Sequence, residues 1–324
     1  MGVQWNDLSR RGFLRAAGAL GAMSALAGAS GVMGARVIAA EGRAAPPLVD
    51  DAWLKERLGR KGLLIVNATT PQLYAQAHIP GAVFADFGKW RVNKGEIVGL
   101  LPDVPYMEKV IGGLGITPQT HVVLVPAGFS AGDVGVATRM FWTLKTLGHD
   151  RVSILDGGIR NWARRKNPLE NTPNTPRPAS YKARKVDTWL AMADDVKKAL
   201  AEKRPRLIDS RTYAEFMGVY GSGSVARPGT LPGAINIPQD WLVDPQTARF
   251  LPPEKIARIH DALGDKDGEA ITFCNTGHRA SLGWFAREVL LGRRTRMYDG
   301  SMSEWTHLKP VSEYPVVARI DLGK

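Results

Sequence analysis

The sequence predicts two similar α/β domains in tandem, each a small parallel sheet with helices on both faces. Three observations carry that expectation. The chain has 324 residues, enough for two domains of about 100 to 200 residues each. Short continuous apolar runs alternate with segments of helical spacing, as in strands buried on both faces and covered by crossover helices. Finally, one order of runs and turns occurs twice, offset by about 150 residues, which suits a duplicated domain and is too long for a solenoid repeat.

In the first half, an apolar strand-like run at 63–67 is followed by a turn-rich stretch at 77–84 built on Pro80-Gly81. A second apolar run at 121–126 precedes helical spacing at 135–147 and a third run at 152–155 that ends in Asp156-Gly157-Gly158. The second half repeats this with a run at 207–211, a turn around Pro232-Gly233, a run at 270–274, helical spacing at 280–291 and a closing run at 295–300. In both turns Pro fixes φ and Gly accepts a positive φ, so the chain reverses before a short strand. Pro168, Pro173, Pro176 and Pro178 can continue neither a helix nor a central strand, which makes 166–184 a linker. The domains are then expected at 47–165 and 185–320.

Residues 1–40 have the layout of an export signal. Arg10-Arg11-Gly12-Phe13-Leu14 is followed by a Gly/Ala-rich apolar stretch at 16–34, then Arg36 and the small residues Ala39 and Ala40. The paired arginines resemble the twin-arginine signal of bacteria. That implies recognition by the twin-arginine export machinery, cleavage near 39–45 and a periplasmic mature protein without a stable membrane anchor. The apolar stretch is about as long as the 18 residues that suggest a transmembrane helix, but its Gly and Ala content makes it a poor span.

With 43 Lys+Arg against 31 Asp+Glu, the formal charge of +12 favours anionic partners. Basic clusters such as Arg164-Arg165-Lys166 and Arg293-Arg294 read as solvated faces with no interleaved aromatic ladder, which argues against nucleic acid and for small anions. No His, Cys, Asp and Glu cluster has metal-ligand spacing, and no phosphate loop or dinucleotide fingerprint follows a first strand, so neither a metal nor a cofactor is expected.

Cys274 is the only cysteine, so in an oxidising compartment it is either an inert buried thiol or a reactive one. It opens the stretch Cys274-Asn275-Thr276-Gly277-His278-Arg279, between a strand and the start of a helix. Ligands of open α/β sheets bind off the carboxyl ends of the strands. A thiol there meets backbone N–H groups and the positive end of a helix dipole, which stabilise a thiolate and hold an anion. Arg279 adds a permanent charge, and Gly277 lets the loop curl with its amides inward. The stretch has the parts of a nucleophile with an anion cradle.

Together these features resemble the tandem-domain rhodanese family of sulfurtransferases. The matching landmarks are the turns at Pro80 and Pro232, Leu155-Asp156-Gly157-Gly158, Tyr298-Asp299-Gly300-Ser301 with Glu304-Trp305, and the Cys-x-x-Gly-x-Arg loop. The resemblance implies that the Cys274 thiolate takes a sulfane sulfur from a small anionic donor, becomes a persulfide, and passes the sulfur to a thiol or cyanide acceptor. It also implies a catalytic second domain and a non-catalytic first one, because the position equivalent to Cys274 reads Pro126-Ala127-Gly128-Phe129-Ser130. Members that use 3-mercaptopyruvate tend to carry a Cys-Gly-Ser/Thr-Gly loop and a hydroxyl–His–Asp relay into the first domain. Thr276 and His78 match two relay positions, but Asn275 replaces the loop glycine and Asn67 the carboxylate. An amide does not stabilise an imidazolium as a carboxylate does, so thiosulfate is the expected donor and 3-mercaptopyruvate the alternative.

Asn275, Thr276, Gly277, His278 and Arg279 are thus expected donor contacts, with loop amides cradling the persulfide sulfur. Three candidates lie outside the loop. Arg211 reads either as an ion pair with Asp209 beneath the loop or as a site arginine. Arg227 is a solvated loop charge or an anion ligand, and His78 caps its own turn or reaches the site. His278 likewise either stabilises the loop or acts electrostatically on Cys274. Among rival functions, a Cys-dependent phosphatase carries a longer loop before its arginine, so the shorter one here suits a smaller anion centre. A persulfide carrier with little turnover would use the same Cys274, and an inert Cys274 predicts slow alkylation.

Overall fold

The computed structural model describes residues 46–266 and 268–320, so the export signal expected at 1–40 lies outside the described residues. The strands of the first half are β1 (Leu48–Val49), β2 (Leu63–Ala68), β3 (Val83–Phe84), β4 (Val92–Lys94), β5 (Ile97–Leu100), β6 (His121–Pro126) and β7 (Val152–Leu155). Those of the second are β8 (Leu190–Ala191), β9 (Arg206–Asp209), β10 (Ile235–Asn236), β11 (Ala270–Phe273) and β12 (Thr295–Tyr298).

Two five-stranded parallel sheets result, ordered β1-β7-β6-β2-β3 and β8-β12-β11-β9-β10. Read side by side, the orders are the same, so the repeat in the sequence is a repeat in topology. In each sheet the third strand is fully buried, His121–Pro126 in one and Ala270–Phe273 in the other. Such strands need helices on both faces to hide apolar side chains that point alternately each way. The helices Ala131–Thr146 and His278–Trp284 directly follow these central strands.

Each domain keeps one apolar core to itself. Val123, Val125 and Trp162 belong to that of the first, Phe273, Met302 and Trp305 to that of the second. The other faces share a single core, in which Met140, Phe141 and Trp142 join Trp284, Phe285 and Cys274. Here the two helices meet. Thr138 and Ser281 hydroxyls lie 2.8 Å apart, and the Phe141 and Phe285 rings pack edge-on at 4.9 Å. Fully burying each such side chain stabilises the association by roughly 1.5–3 kcal/mol.

Four features differ from the sequence expectation. The long first-domain helix starts at Ala131, because Ser130 and Asp133 close a reciprocal capping box ahead of the apolar periodicity. The helix expected at 280–291 is an α-helix from His278 to Trp284 that passes into a π turn, Phe285–Leu290. The edge strands β1 and β8 are only two residues long and leave no periodicity to read. An antiparallel hairpin, β4–β5, also lies outside the repeat. From 167 to 186 the chain forms no helix or strand beyond a bridge between Glu170 and His78. Among the described residues no helix is long and apolar enough to cross a membrane.

Candidate active site

Cys274 is the first residue after β11, at the carboxyl end of the central strand, and is 1% exposed. The loop it opens is tied to the first turn of the helix Ser301–His307. The Cys274 and Gly277 N–H groups both donate to Ser301 Oγ at 3.1 Å, and that hydroxyl donates to the Tyr298 carbonyl at 2.8 Å. The carbonyls of Cys274 and Asn275 accept from the Met302 and Ser303 amides. Ser301 holds a left-handed backbone, φ +51°, to make these contacts. Gly277, at φ +71°, has no room for a side chain, since a Cβ there would lie 2.3 Å from Arg139 Nη1 and 2.8 Å from the Asp299 carbonyl. The Gly277 amide is therefore spent on Ser301 and does not join the expected sulfur cradle.

Arg279, expected to add a permanent charge at the loop and to contact the donor, forms a two-pronged pair with Glu215, at 2.6 and 2.7 Å. Burial pushes the Glu215 carboxyl up, yet hydrogen bonds from Arg279 and Asn275 prevail and hold it at about 2. The ionised pair largely cancels the loop's own positive charge. Arg211 is fully buried beneath the loop, gripping Asp209 through Nε and Nη2 and reaching Asn275 Oδ1 at 3.4 Å. It supports the loop through Asn275. Arg227 sits elsewhere, its guanidinium on the Trp305 and Thr306 carbonyls at a helix end.

His278 is not a charged partner of Cys274. Burial and the neighbouring Arg91 and Arg139 lower it to about 4, so it is neutral at pH 7. Its ring lies 5.3 Å from that of Phe87, wedged against the first domain. His78 does not reach the loop. It stacks on Tyr74 at 4.0 Å, bonds the Tyr74 carbonyl at 2.8 Å and faces Glu170 and Asn174 of the linker. Thr276 is instead met by Arg91, whose Nη2 donates to Thr276 Oγ1 at 3.1 Å. Asn67 Oδ1 accepts from Thr69 Oγ1, so the relay positions are not assembled.

Three contributors went unread in the sequence. Arg91 precedes the β4–β5 hairpin, and only the Gly95 turn in Asn93-Lys94-Gly95-Glu96 signals that hairpin. Arg139 comes from the first-domain helix and pairs with Asp299 at 2.5 Å. Ser301 was part of a motif but carried no role. The equivalent loop of the first domain has a different chemistry: the Phe129 and Ser130 amides donate to its own Asp133 carboxylate. An internal anion there fills the place where a cradle would open.

Known proteins bear out the architecture. The rhodanese-like domain matches residues 50–165 and again 192–308. The chain is 31% identical over 276 residues to the 3-mercaptopyruvate sulfurtransferase of Homo sapiens, covering 81% of this chain and 86% of that protein. It is also 31% identical to the thiosulfate sulfurtransferase of Mus musculus over 81% and 93% of the two chains, and 30% identical to that of Pseudomonas aeruginosa over 80% and 94%. Among solved structures, the anaerobic ergothioneine biosynthesis enzyme from Chlorobium limicola superposes with a TM-score of 0.73 at 22% identity, over 85% of this chain and 71% of that one, a likeness of fold. With the domain matched twice and relatives of about this length, the chain belongs to the rhodanese-like family.

Proposed function

We propose that the protein is a sulfurtransferase that works through a Cys274 persulfide, with thiosulfate as donor and cyanide or a thiol as acceptor. The observation that carries this is the placement of Cys274 at the carboxyl end of β11, buried, with Arg91 and Arg279 both close enough to feel its charge. In the first step the thiolate attacks the outer sulfur of thiosulfate. A new S–S bond forms as the old one breaks, and sulfite leaves with the bonding electron pair. The acceptor then attacks the outer persulfide sulfur, and the Cys274 thiolate is regenerated.

Thiosulfate is favoured because Asn67 takes the place of a relay carboxylate and His78 faces the linker. 3-Mercaptopyruvate is the second reading, supported by the 31% identity to an enzyme of that name. Thiocyanate production from each donor separates the two. A higher kcat/KM with thiosulfate, lost in Cys274→Ser, is the expected result; a higher value with 3-mercaptopyruvate installs the second reading. The same proposal takes residues 1–40 as a twin-arginine leader and the periplasm as the workplace. Arg10→Lys with Arg11→Lys should then strand the protein in the cytoplasm, and unchanged fractionation removes this part.

A further inference from the structure

Four arginines surround the Cys274 loop, and three are matched by carboxylates: Arg279 by Glu215, Arg211 by Asp209 and Arg139 by Asp299. Arg91 is the exception. Its Nη2 donates to Thr276 Oγ1, its Nε is buried with no hydrogen-bond partner, and it forms no ion pair with any described carboxylate. A guanidinium remains protonated at any ordinary pH, so Arg91 is the one of the four without a carboxylate at ion-pair distance, Asp299 acting on it only from further away while paired with Arg139. Burying a charged N–H without an acceptor is costly; Arg139 Nε and Nη1 are orphaned too, but Arg139 carries the Asp299 carboxylate, whereas Arg91 has both an orphaned N–H and no ion-pair partner, which points to a ligand that completes it.

The hairpin that follows Arg91 is fixed to the second domain. Val98 N–H donates to Ser303 Oγ at 3.0 Å and Leu101 N–H to Asp299 Oδ2 at 2.7 Å, while within the first domain the Gly99 carbonyl accepts from Arg139. Gly99 also clears the way for the guanidinium, since a Cβ there would lie 2.2 Å from Arg91 Nη2. Arg91 is thus held against Thr276 by contacts that cross the domain boundary.

We infer that Arg91, a first-domain residue, binds the anionic head of the sulfur donor, while the second-domain arginines Arg279 and Arg211 are consumed in shaping the loop. The ligand class is a small oxyanion whose terminal oxygens accept guanidinium N–H groups while its sulfane sulfur faces Cys274. This rests on the sulfurtransferase reading, but the charge at the site can be tested without it.

Arg91→Gln and Arg91→Lys are compared with wild type in two assays. In the thiosulfate–cyanide assay, R91Q is expected to raise the thiosulfate KM at least about tenfold, or about 1.4 kcal/mol, with a smaller change in kcat; R91K recovers part of it. In the second assay Cys274 is alkylated by anionic iodoacetate and neutral iodoacetamide. The ratio of the two rates is expected to fall at least about threefold in R91Q and to return in R91K, because a charge at the mouth acts only on the anion. A merely structural role moves both reagents together. An unchanged KM and an unchanged ratio in a folded R91Q overturn the inference. If wild type does not turn over thiosulfate, the sulfurtransferase reading fails and the alkylation ratio alone decides the role of Arg91. If R91Q does not fold, R91K decides: a KM raised by about threefold or more, from loss of the forked donor geometry, supports the inference and an unchanged KM overturns it.

Discussion

Removing the Ser301 hydroxyl is expected to cost about 2–4 kcal/mol, because the Cys274 and Gly277 amides share it as acceptor at 3.1 Å. Ser301→Ala leaves both donors buried and unpaired at about 1–3 kcal/mol each, part of which local relaxation recovers. The left-handed backbone at φ +51° costs an L-residue a further 1–2 kcal/mol or so, in Ala as in Ser. Ser301→Gly loses the same hydrogen bonds but escapes that strain, so it should be more stable than the alanine variant by about 1 kcal/mol. Urea unfolding followed by tryptophan fluorescence gives the stabilities by linear extrapolation. Alkylation of Cys274 in native buffer, expected to accelerate in both variants, reports the loosened loop. An alanine variant within about 0.5 kcal/mol of wild type, or a glycine variant less stable than the alanine one, refutes the reasoning.

Glu215→Gln strands Arg279 beside the loop and should destabilise by about 2–3 kcal/mol, below the full cost of breaking a buried pair because Arg279 keeps some solvent contact; an unchanged urea midpoint counts against the pairing. Two buried histidines are expected to work against the fold in a defined acid window. His121 and His278 stand at about 4 when folded against 6.5 when free, so their contribution is complete above pH 6.5 and is lost as pH falls toward 4. Asp156, raised to about 6 chiefly by burial, opposes this, its contribution being present below 3.8 and lost as pH rises through 6. His149, lowered by burial, acts with the two histidines, and Asp51 and Glu304, raised by burial, act with Asp156, so the test is by difference: wild type should lose more urea stability between pH 6.5 and 4 than His278→Asn does, and identical pH profiles contradict the assignment. His78→Asn should leave the donor KM unchanged, since His78 faces the linker, and a large rise in KM would return it to the site.

The fold was legible wherever burial is continuous or a turn needs particular residues. His121–Pro126 and Ala270–Phe273 read as strands because both their faces are covered, leaving no polar alternation to confuse them with a surface element. Pro80-Gly81 and Pro232-Gly233 read as turns because the geometry demands them, and both glycines have positive φ. Cys274 was legible as the first loop residue for the same reason. The electrostatics of the site were not. A sequence counts Arg279 as a cation, but Glu215, which announces itself only as the end of a Thr212 capping box, cancels it across the fold. Arg91 looked like one basic residue among many, and its position depends on a short hairpin docking on another domain. The two readings of His278 stayed open because titration follows burial and neighbours, which residue type does not reveal.

The persulfide itself is the most direct test. Intact mass of the protein after incubation with thiosulfate should show a gain of one sulfur, about 32 Da, in the wild type and none in Cys274→Ser. No adduct on the wild type, with either thiosulfate or 3-mercaptopyruvate, would contradict persulfide chemistry at Cys274 and leave a rhodanese-like fold with another use.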